Sequence, residues 1–227
     1  MSNKPSPIRH IAAIMDGNRR WALSHSLSTI EGHFQGAKNA KAFLQSCLKL
    51  EIEYVSLFSF SKENWSRSVE EVNYLWMLIH KEFENSQDFF HDQEIRFIPI
   101  GDKNNWPLKT FDLLQQLEFE TKNYSRLNFI MVLDYSGQWE IQYAVEQAVV
   151  HGSPLKWKDY LVTSLYPPPD ILIRTGCEQR ISNFYLYSLA YSELFFPNIL
   201  WPDFKEEDLV LIINQYYQRT RRFGGDF

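Results

Sequence analysis

The chain has 227 residues, 44% hydrophobic and 16% aromatic, enough to bury a core without covalent staples, so a single domain over residues 1–227 is expected. Its 23 basic and 28 acidic residues leave a net charge of −5, the wrong sign for a protein whose main partner is a phosphate backbone, which argues against nucleic acid. No stretch approaches the ~20 apolar residues of a spanning helix, no apolar leader opens the chain, and Cys47 and Cys177 lack metal or disulfide spacing, so a reduced cytoplasmic protein is expected.

The first predicted element is a strand over residues 8–15, near-continuously apolar as a strand covered on both faces should be. It runs into Asp16-Gly17-Asn18-Arg19-Arg20. A carboxylate at a strand end can hold a hard cation while the next helix turns backbone amides toward an anion, and magnesium with a diphosphate fits both halves. Asp-Gly is also a common turn, yet a turn needs no paired arginines. Gly32-His33 leads into a predicted helix over 34–50. His33 suits proton transfer at neutral pH, or a structural hydrogen bond beside the glycine.

A second strand, 54–60, delivers Ser61-Lys62-Glu63-Asn64-Trp65-Ser66-Arg67. Asn64 is no base at neutral pH, so proton loss there needs a partner or a released diphosphate. Ser68 and Glu71 are spaced as a capping box for a helix over 69–92. Val72, Leu75, Ile79 and Phe83 form one apolar stripe on it, with Trp76, Met77, Phe89 and Phe90 outside the stripe. Such girth means burial on two sides, as core, as a dimer interface, or as the wall of a tunnel for a lipid tail. A strand over 95–100, a helix over 106–123 with Pro107 in its first turn, a strand over 127–133 and a helix over 138–150 follow. Prolines 167–169 mark the connection to a fifth strand, 170–173, which ends in Arg174-Thr175-Gly176. Arg174, Arg180 and Ser182 can clamp a second diphosphate, with Glu193 sharing its metal; a salt-bridged loop is the alternative. Eight of the eleven arginines fall in these segments and in Arg219, Arg221 and Arg222 near the end of the chain.

Strands alternating with helices long enough for crossovers give an α/β protein with a single parallel sheet flanked by helices. Ligands collect outside the carboxyl ends of such strands, and three independent strand ends here deliver charged motifs to that edge.

These segments resemble the cis-prenyltransferase family, of the undecaprenyl diphosphate synthase type. The likeness rests on the run from His10 to Ala22, on Gly32-His33 with Gly36-Ala37, and on the run from Phe58 to Arg67. It continues through Gly101-Asp102, the run from Arg174 to Phe184, Ala190-Tyr191-Ser192-Glu193-Leu194, Trp201-Pro202-Asp203-Phe204 and Arg221-Arg222-Phe223-Gly224-Gly225. The resemblance implies an undecaprenyl diphosphate synthase-like fold and a magnesium-dependent condensation of isopentenyl diphosphate onto an allylic diphosphate such as farnesyl diphosphate. The first expected product is undecaprenyl diphosphate, precursor of a carrier lipid for cell-wall glycans. Alternatives are a short-chain, branched or cyclic product, or a noncatalytic subunit of a heteromeric prenyltransferase.

By the same resemblance, Asp16 and Asn64 are catalytic. Gly17, Asn18, Arg19, Arg20, Trp21, His33, Ser61, Trp65 and Arg67 bind the allylic diphosphate. Arg174, Arg180, Ser182, Arg222 and Gly224 bind isopentenyl diphosphate, and Asp16 and Glu193 hold Mg2+. A homodimer is implied in which the carboxyl-terminal Arg222 and Gly224 complete the neighbour's site. Independently of the resemblance, an acidic enzyme with a lipid product is expected to make transient membrane contact through an apolar tunnel mouth instead of a basic patch. The helix over 69–92 and the helix after it are expected to wall the product tunnel. Four positions depart from the family pattern: Thr29 and Gln138 replace arginines, and Ser136 and Cys177 replace glycines.

Overall fold

Six parallel strands form one sheet in the order β3-β4-β2-β1-β5-β6 in the computed structural model, which describes residues 7–219. The strands are β1 (His10–Ile14), β2 (Tyr54–Ser61), β3 (Ile95–Ile100), β4 (Leu127–Tyr135), β5 (Ile171–Arg174) and β6 (Glu193–Phe195). The helices are α1 (Asn18–Ser24), α2 (Thr29–Lys49), α3 (Val69–Glu84), α4 (Gln87–Asp92), α5 (Leu108–Thr121), α6 (Gly137–Val150) and α7 (Glu206–Gln218).

The unbroken apolar runs have a two-sided explanation. In β1, Ile11 and Ala13 face one core layer while Ala12 and Ile14 face the other. In β4, Phe129, Met131 and Leu133 face the first layer and Ile130 and Val132 the second. Alternation at period two therefore buries both faces, leaving no polar side for the sequence to mark.

Five strands and four helices stand within a few residues of their sequence-based positions. The helix over 69–92 is two helices, because Asn85 caps the end of α3 and α4 restarts at Gln87. Asn and Ser favour caps over helix interiors, and Asn85-Ser86 provides that break. The Ser68 cap is half of the expected box: its Oγ accepts Glu71 N–H at 3.2 Å, while the Glu71 carboxylate turns to Arg67 at 3.0 Å. Three further elements are α1, β6 and α7. β6 has three residues, too few to show a period. α7 buries Leu209, Ile212 and Tyr216, spaced three and four apart as one helical stripe.

Candidate active site

β1, β2 and β5 end side by side, with Ile14 in register with both Phe58 and Arg174. Asp16 therefore emerges between the β2 and β5 loops. Its carboxylate takes Arg20 Nη2 on Oδ1 at 3.1 Å and Arg174 Nη2 on Oδ2 at 3.0 Å. Arg174 is nearly buried, and its Nη1 donates to the Arg180 carbonyl and to Ser182 Oγ at 2.7 Å. Arg20 also donates to the Gly176 carbonyl and lies 3.7 Å from Glu178. Asp16, Arg20, Arg174 and Ser182 are thus one cluster, as the sequence implied; Arg180 joins through its backbone while its exposed guanidinium pairs with Glu178.

The local chain explains the placement. Gly17 has φ +112°, a left-handed conformation that an L side chain resists. Trp201 N–H donates to the Asp16 carbonyl at 3.0 Å, and Asp203 accepts the Trp21 indole N–H at 2.7 Å, so the segment after β6 braces both sides of Gly17. Asn18 packs into a glycine notch of α2: a Cβ at Gly36 would stand 2.3 Å from Asn18 Oδ1. Gly36-Ala37 is therefore a packing device as well as a motif.

A cavity of about 660 Å³ opens at this cluster and runs along the sheet between α2 and α3. Asp16, His33, Ser61, Asn64, Arg67 and Arg174 line its charged end; Ala40, Leu44, Leu75, Ile79, Phe83 and Phe89 line the rest. The volume falls within the ~300–1,000 Å³ of ordinary small-molecule sites. Its helical walls are α3 with α4 and, correcting the sequence expectation, the preceding α2 instead of the following α5. α5 packs on β3 and on the far side of α3, where Trp106 meets Trp76. Trp76 is consequently core, and Met77 faces outward at 56% exposure; of the bulky side chains on that predicted helix, Phe83, Phe89 and Phe90 reach the cavity, which Phe58, Phe129 and Trp201 also line.

Three buried polar atoms at the charged end have no hydrogen bond among the described residues: Asn18 Oδ1, His33 Nε2 and Arg174 Nε. Unpaired buried groups are costly, and here they converge on the mouth of a cavity with a charged rim. An oxyanion would satisfy Arg174 Nε. His33 Nε2 stands 3.8 Å from Glu71, and burial, with Arg67 nearby, pulls its pKa to about 4, so the ring is neutral at physiological pH. No group of three His, Cys, Asp or Glu side chains among the described residues could cage a metal. Mg2+ commonly takes one or two carboxylates and completes its shell with substrate phosphates, and Asp16 at the cavity mouth fits that pattern.

Several expected site residues stand back from the cavity. Trp65 turns its indole N–H to Asp134 at 2.8 Å and its ring edge to Phe60. Trp21 stacks on His25, and exposed Arg19 lies 3.9 Å from Glu71. Glu193, expected on the metal with Asp16, opens β6 opposite Ile171 and binds Arg219 at 2.6 Å. Its register partner precedes Arg174 by three residues, about 10 Å of strand rise, so within one protomer it does not join Asp16. Arg222 and Gly224 lie outside the described residues.

Asn183, Glu63 and Asp134 were missed from the sequence. Asn183 and Glu63 line the cavity and hydrogen-bond at 3.0 Å, linking the β5 and β2 loops. Buried Asp134, in left-handed conformation, accepts from Trp65 and, at 3.2 Å, from Asn105, and so anchors the loop that presents Asn64. The signal was present, since Asp134 ends β4 at the same sheet edge as the other motifs.

The departures also have places. Ser136 caps α6, accepting Trp139 N–H at 3.2 Å, and exposed Cys177 has φ +60°, the conformation that favours glycine. Thr29 begins α2 and Gln138 is exposed in the first turn of α6.

The family model Prenyltransf, described as "Putative undecaprenyl diphosphate synthase", matches residues 14–224. An isoprenyl transferase of Fusobacterium nucleatum is 40% identical over 220 residues, covering 96% of each chain. Dehydrodolichyl diphosphate synthase 1 of Arabidopsis thaliana is also 40% identical, over 95% of this chain and 76% of its own. Lavandulyl diphosphate synthase from Lavandula x intermedia, solved in complex with dimethylallyl diphosphate, superposes with a TM-score of 0.91 at 32% identity, covering 96% of this chain and 98% of its own. A probable undecaprenyl diphosphate synthase from Campylobacter jejuni gives 0.83 at 26% identity, covering 97% and 100%.

Proposed function

Because the chain belongs to the undecaprenyl diphosphate synthase family of prenyltransferases, we propose that it condenses isopentenyl diphosphate onto an allylic diphosphate, farnesyl diphosphate first, to build a cis-polyprenyl diphosphate. The observation that carries this is the Asp16 carboxylate between Arg20 and Arg174 at the mouth of an apolar cavity. Charged groups for two diphosphates stand at one end, and room for hydrocarbon lies beyond.

In this reading Asp16 holds Mg2+, which when bound offsets the charge gathering on the leaving diphosphate. Arg20 and Asn18 orient that diphosphate, with Arg67 on its flank. Arg174 Nε, Arg180 and Ser182 hold the isopentenyl diphosphate. The isopentenyl double bond supplies the electron pair for the new carbon–carbon bond as the allylic carbon–oxygen bond breaks, and a proton leaves the adjacent isopentenyl carbon. Asn64 and Ser61 border that space as orienting groups: Asn64 Oδ1 accepts Ser61 N–H at 3.1 Å, which fixes the amide. Neutral His33 is a weak base at a pKa of about 4, so the released diphosphate is the better final proton acceptor. Trp65 acts through Asp134 by fixing the loop.

The long product, undecaprenyl diphosphate made by a homodimer, is the first form to test. A second reading, a shorter or branched chain, is favoured by Phe83, Phe89 and Phe90 at the cavity's far end and by the likeness to lavandulyl diphosphate synthase. Purified protein given farnesyl diphosphate, labelled isopentenyl diphosphate and magnesium should yield a chelator-sensitive ladder. Its last rung separates long from short products. A folded protein that binds both diphosphates without forming any product defeats the reaction and leaves the noncatalytic subunit.

A further inference from the structure

In a chain of net charge −5, α2 carries Lys38 and Lys41 against a single acid, its third lysine, Lys49, being paired with Glu206 at 2.7 Å. That acid, Glu31, is turned back to accept Ser28 N–H at 2.8 Å. On the outer row of α2, Ile30 and Phe34 are 51% and 42% exposed, followed by Lys38, whose Nζ lies 4.5 Å over the Phe34 ring. Beside it, Tyr74 of α3 donates to the Ile30 carbonyl at 3.3 Å. The exposed row of α3 reads Glu70, Asn73, Met77, Lys81, Glu84, an apolar side chain followed by a lysine between glutamates at the two ends of the helix. Exposed Leu23 and Leu27, around the end of α1, extend the apolar rim. Lys38 and Lys41 form no ion pair among the described residues; each lies over an aromatic ring, Lys41 over Phe89 at 4.7 Å.

The inner side of the same helix lines the product cavity through Gly36, Ala37, Ala40 and Leu44, and the cavity's far end reaches Lys41, Glu82 and Ser86 at the α3–α4 break. We propose that the rim formed by the end of α1, α2 and α3 docks on an anionic lipid bilayer, placing the cavity's α2–α3 wall against the membrane that receives the product. Two observations select that occupant. The lysines free of carboxylates complement an anionic headgroup layer, with Ile30 and Phe34 able to enter its boundary while Lys38 snorkels above them. The rim is also continuous, across one helix, with a cavity that holds hydrocarbon in the proposed reaction, and on that reading the inference rests.

The test is co-sedimentation of the full chain, without substrate, with vesicles of phosphatidylcholine and phosphatidylglycerol, against phosphatidylcholine alone. The anionic vesicles should capture the protein and high salt should release it. Lys38→Ala should lower the partition coefficient about fivefold, the effect of one lysine near a charged surface, and leave diphosphate turnover in detergent unchanged. The double variant Ile30→Ser/Phe34→Ser should lose binding to anionic vesicles; should it fail to fold, the charge reversal Lys38→Glu decides. Equal sedimentation with both vesicle types, or variants that bind like the parent, overturns the proposal. So does a change of oligomeric state in these variants without lipid, which would make the rim a subunit contact. Vesicle binding by a protein that forms no prenyl product would defeat the proposed reaction while upholding the surface.

Discussion

Arg174 is the residue whose structural setting changes its expected role most. The sequence places it on the isopentenyl diphosphate, but three of its contacts are internal: Asp16, the Arg180 carbonyl and Ser182. Of its five N–H donors, Nε–H and one on Nη2 remain for a ligand. Arg174→Ala should therefore raise KM for isopentenyl diphosphate and also lower kcat by about 10²-fold, the scale of losing one charge-stabilising donor. A further loss of about 1–3 kcal/mol in stability follows from the acceptors left unpaired. Arg174→Lys keeps the charge without the fork and should fall between. Steady-state kinetics with urea unfolding separate these effects, and a KM change with kcat intact would return Arg174 to simple substrate binding.

Two imidazoles set a second expectation. His10 is buried between the Pro167 carbonyl and Ser56, and burial draws its pKa to about 4, as it does for His33. Between about pH 4 and the unfolded value near 6.5, the unfolded chain binds protons that the folded chain refuses. Stability is therefore full above pH 6.5 and declines as pH falls through that window, by about 1.4 kcal/mol per pH unit for each ring. Urea midpoints from pH 7 to 5 should show the decline, and His33→Gln should roughly halve its slope. A flat profile in both proteins would show that these rings are not held neutral.

Among the elements, α2 joins packing to chemistry. Gly36 is unfavourable in a helix interior by about 1 kcal/mol relative to alanine, yet its missing Cβ is what admits Asn18. Gly36→Ala should lower thermal stability, because overpacking against Asn18 costs about 1–3 kcal/mol against a helix gain of about 1 kcal/mol. Turnover should drop at least tenfold, because Asn18, two residues from Asp16, must shift. Unchanged turnover would mean that Asn18 yields without disturbing the site. The glycines were legible as a motif; their purpose was not, since it depends on a helix lying across them. Strands covered on both faces were legible from unbroken apolar runs, whereas β6, three residues at the sheet edge, offered no run to read. The wall of the cavity was misassigned for a related reason. Chain order suggests that the next helix covers the last, but α5 goes to the β3 side and α2 closes the cavity. Asp16, Arg20, Arg174 and Ser182 could be grouped from sequence because each follows a strand ending at one edge. Trp65 could not be placed, since its orientation is set by Asp134, remote in sequence and in an uncommon backbone conformation.

At the scale of the whole molecule, the family resemblance assigns Arg222 and Gly224, which lie outside the described residues, to the neighbouring subunit's site. A twofold dimer gives that assignment a direct consequence. Asp16→Ala homodimers lack the catalytic carboxylate in both sites, and Arg222→Ala homodimers lack the donated arm in both, so each alone should be nearly inactive. In a heterodimer of the two, the site that keeps Asp16 receives its arm from the Asp16→Ala protomer, whose arm is intact. That site is complete, while the other lacks both groups. Random exchange makes half the dimers mixed, with one working site in two, so mixing the dead proteins at equal concentration should restore about a quarter of parental activity. Recovery should follow the rate of subunit exchange, measurable with differently tagged chains. Exchange without recovery would show that the arm serves its own protomer, and an Arg222→Ala homodimer that turns over normally would show that Arg222 has no part in the site; recovery fixes both the twofold assembly and the direction in which the arm is shared.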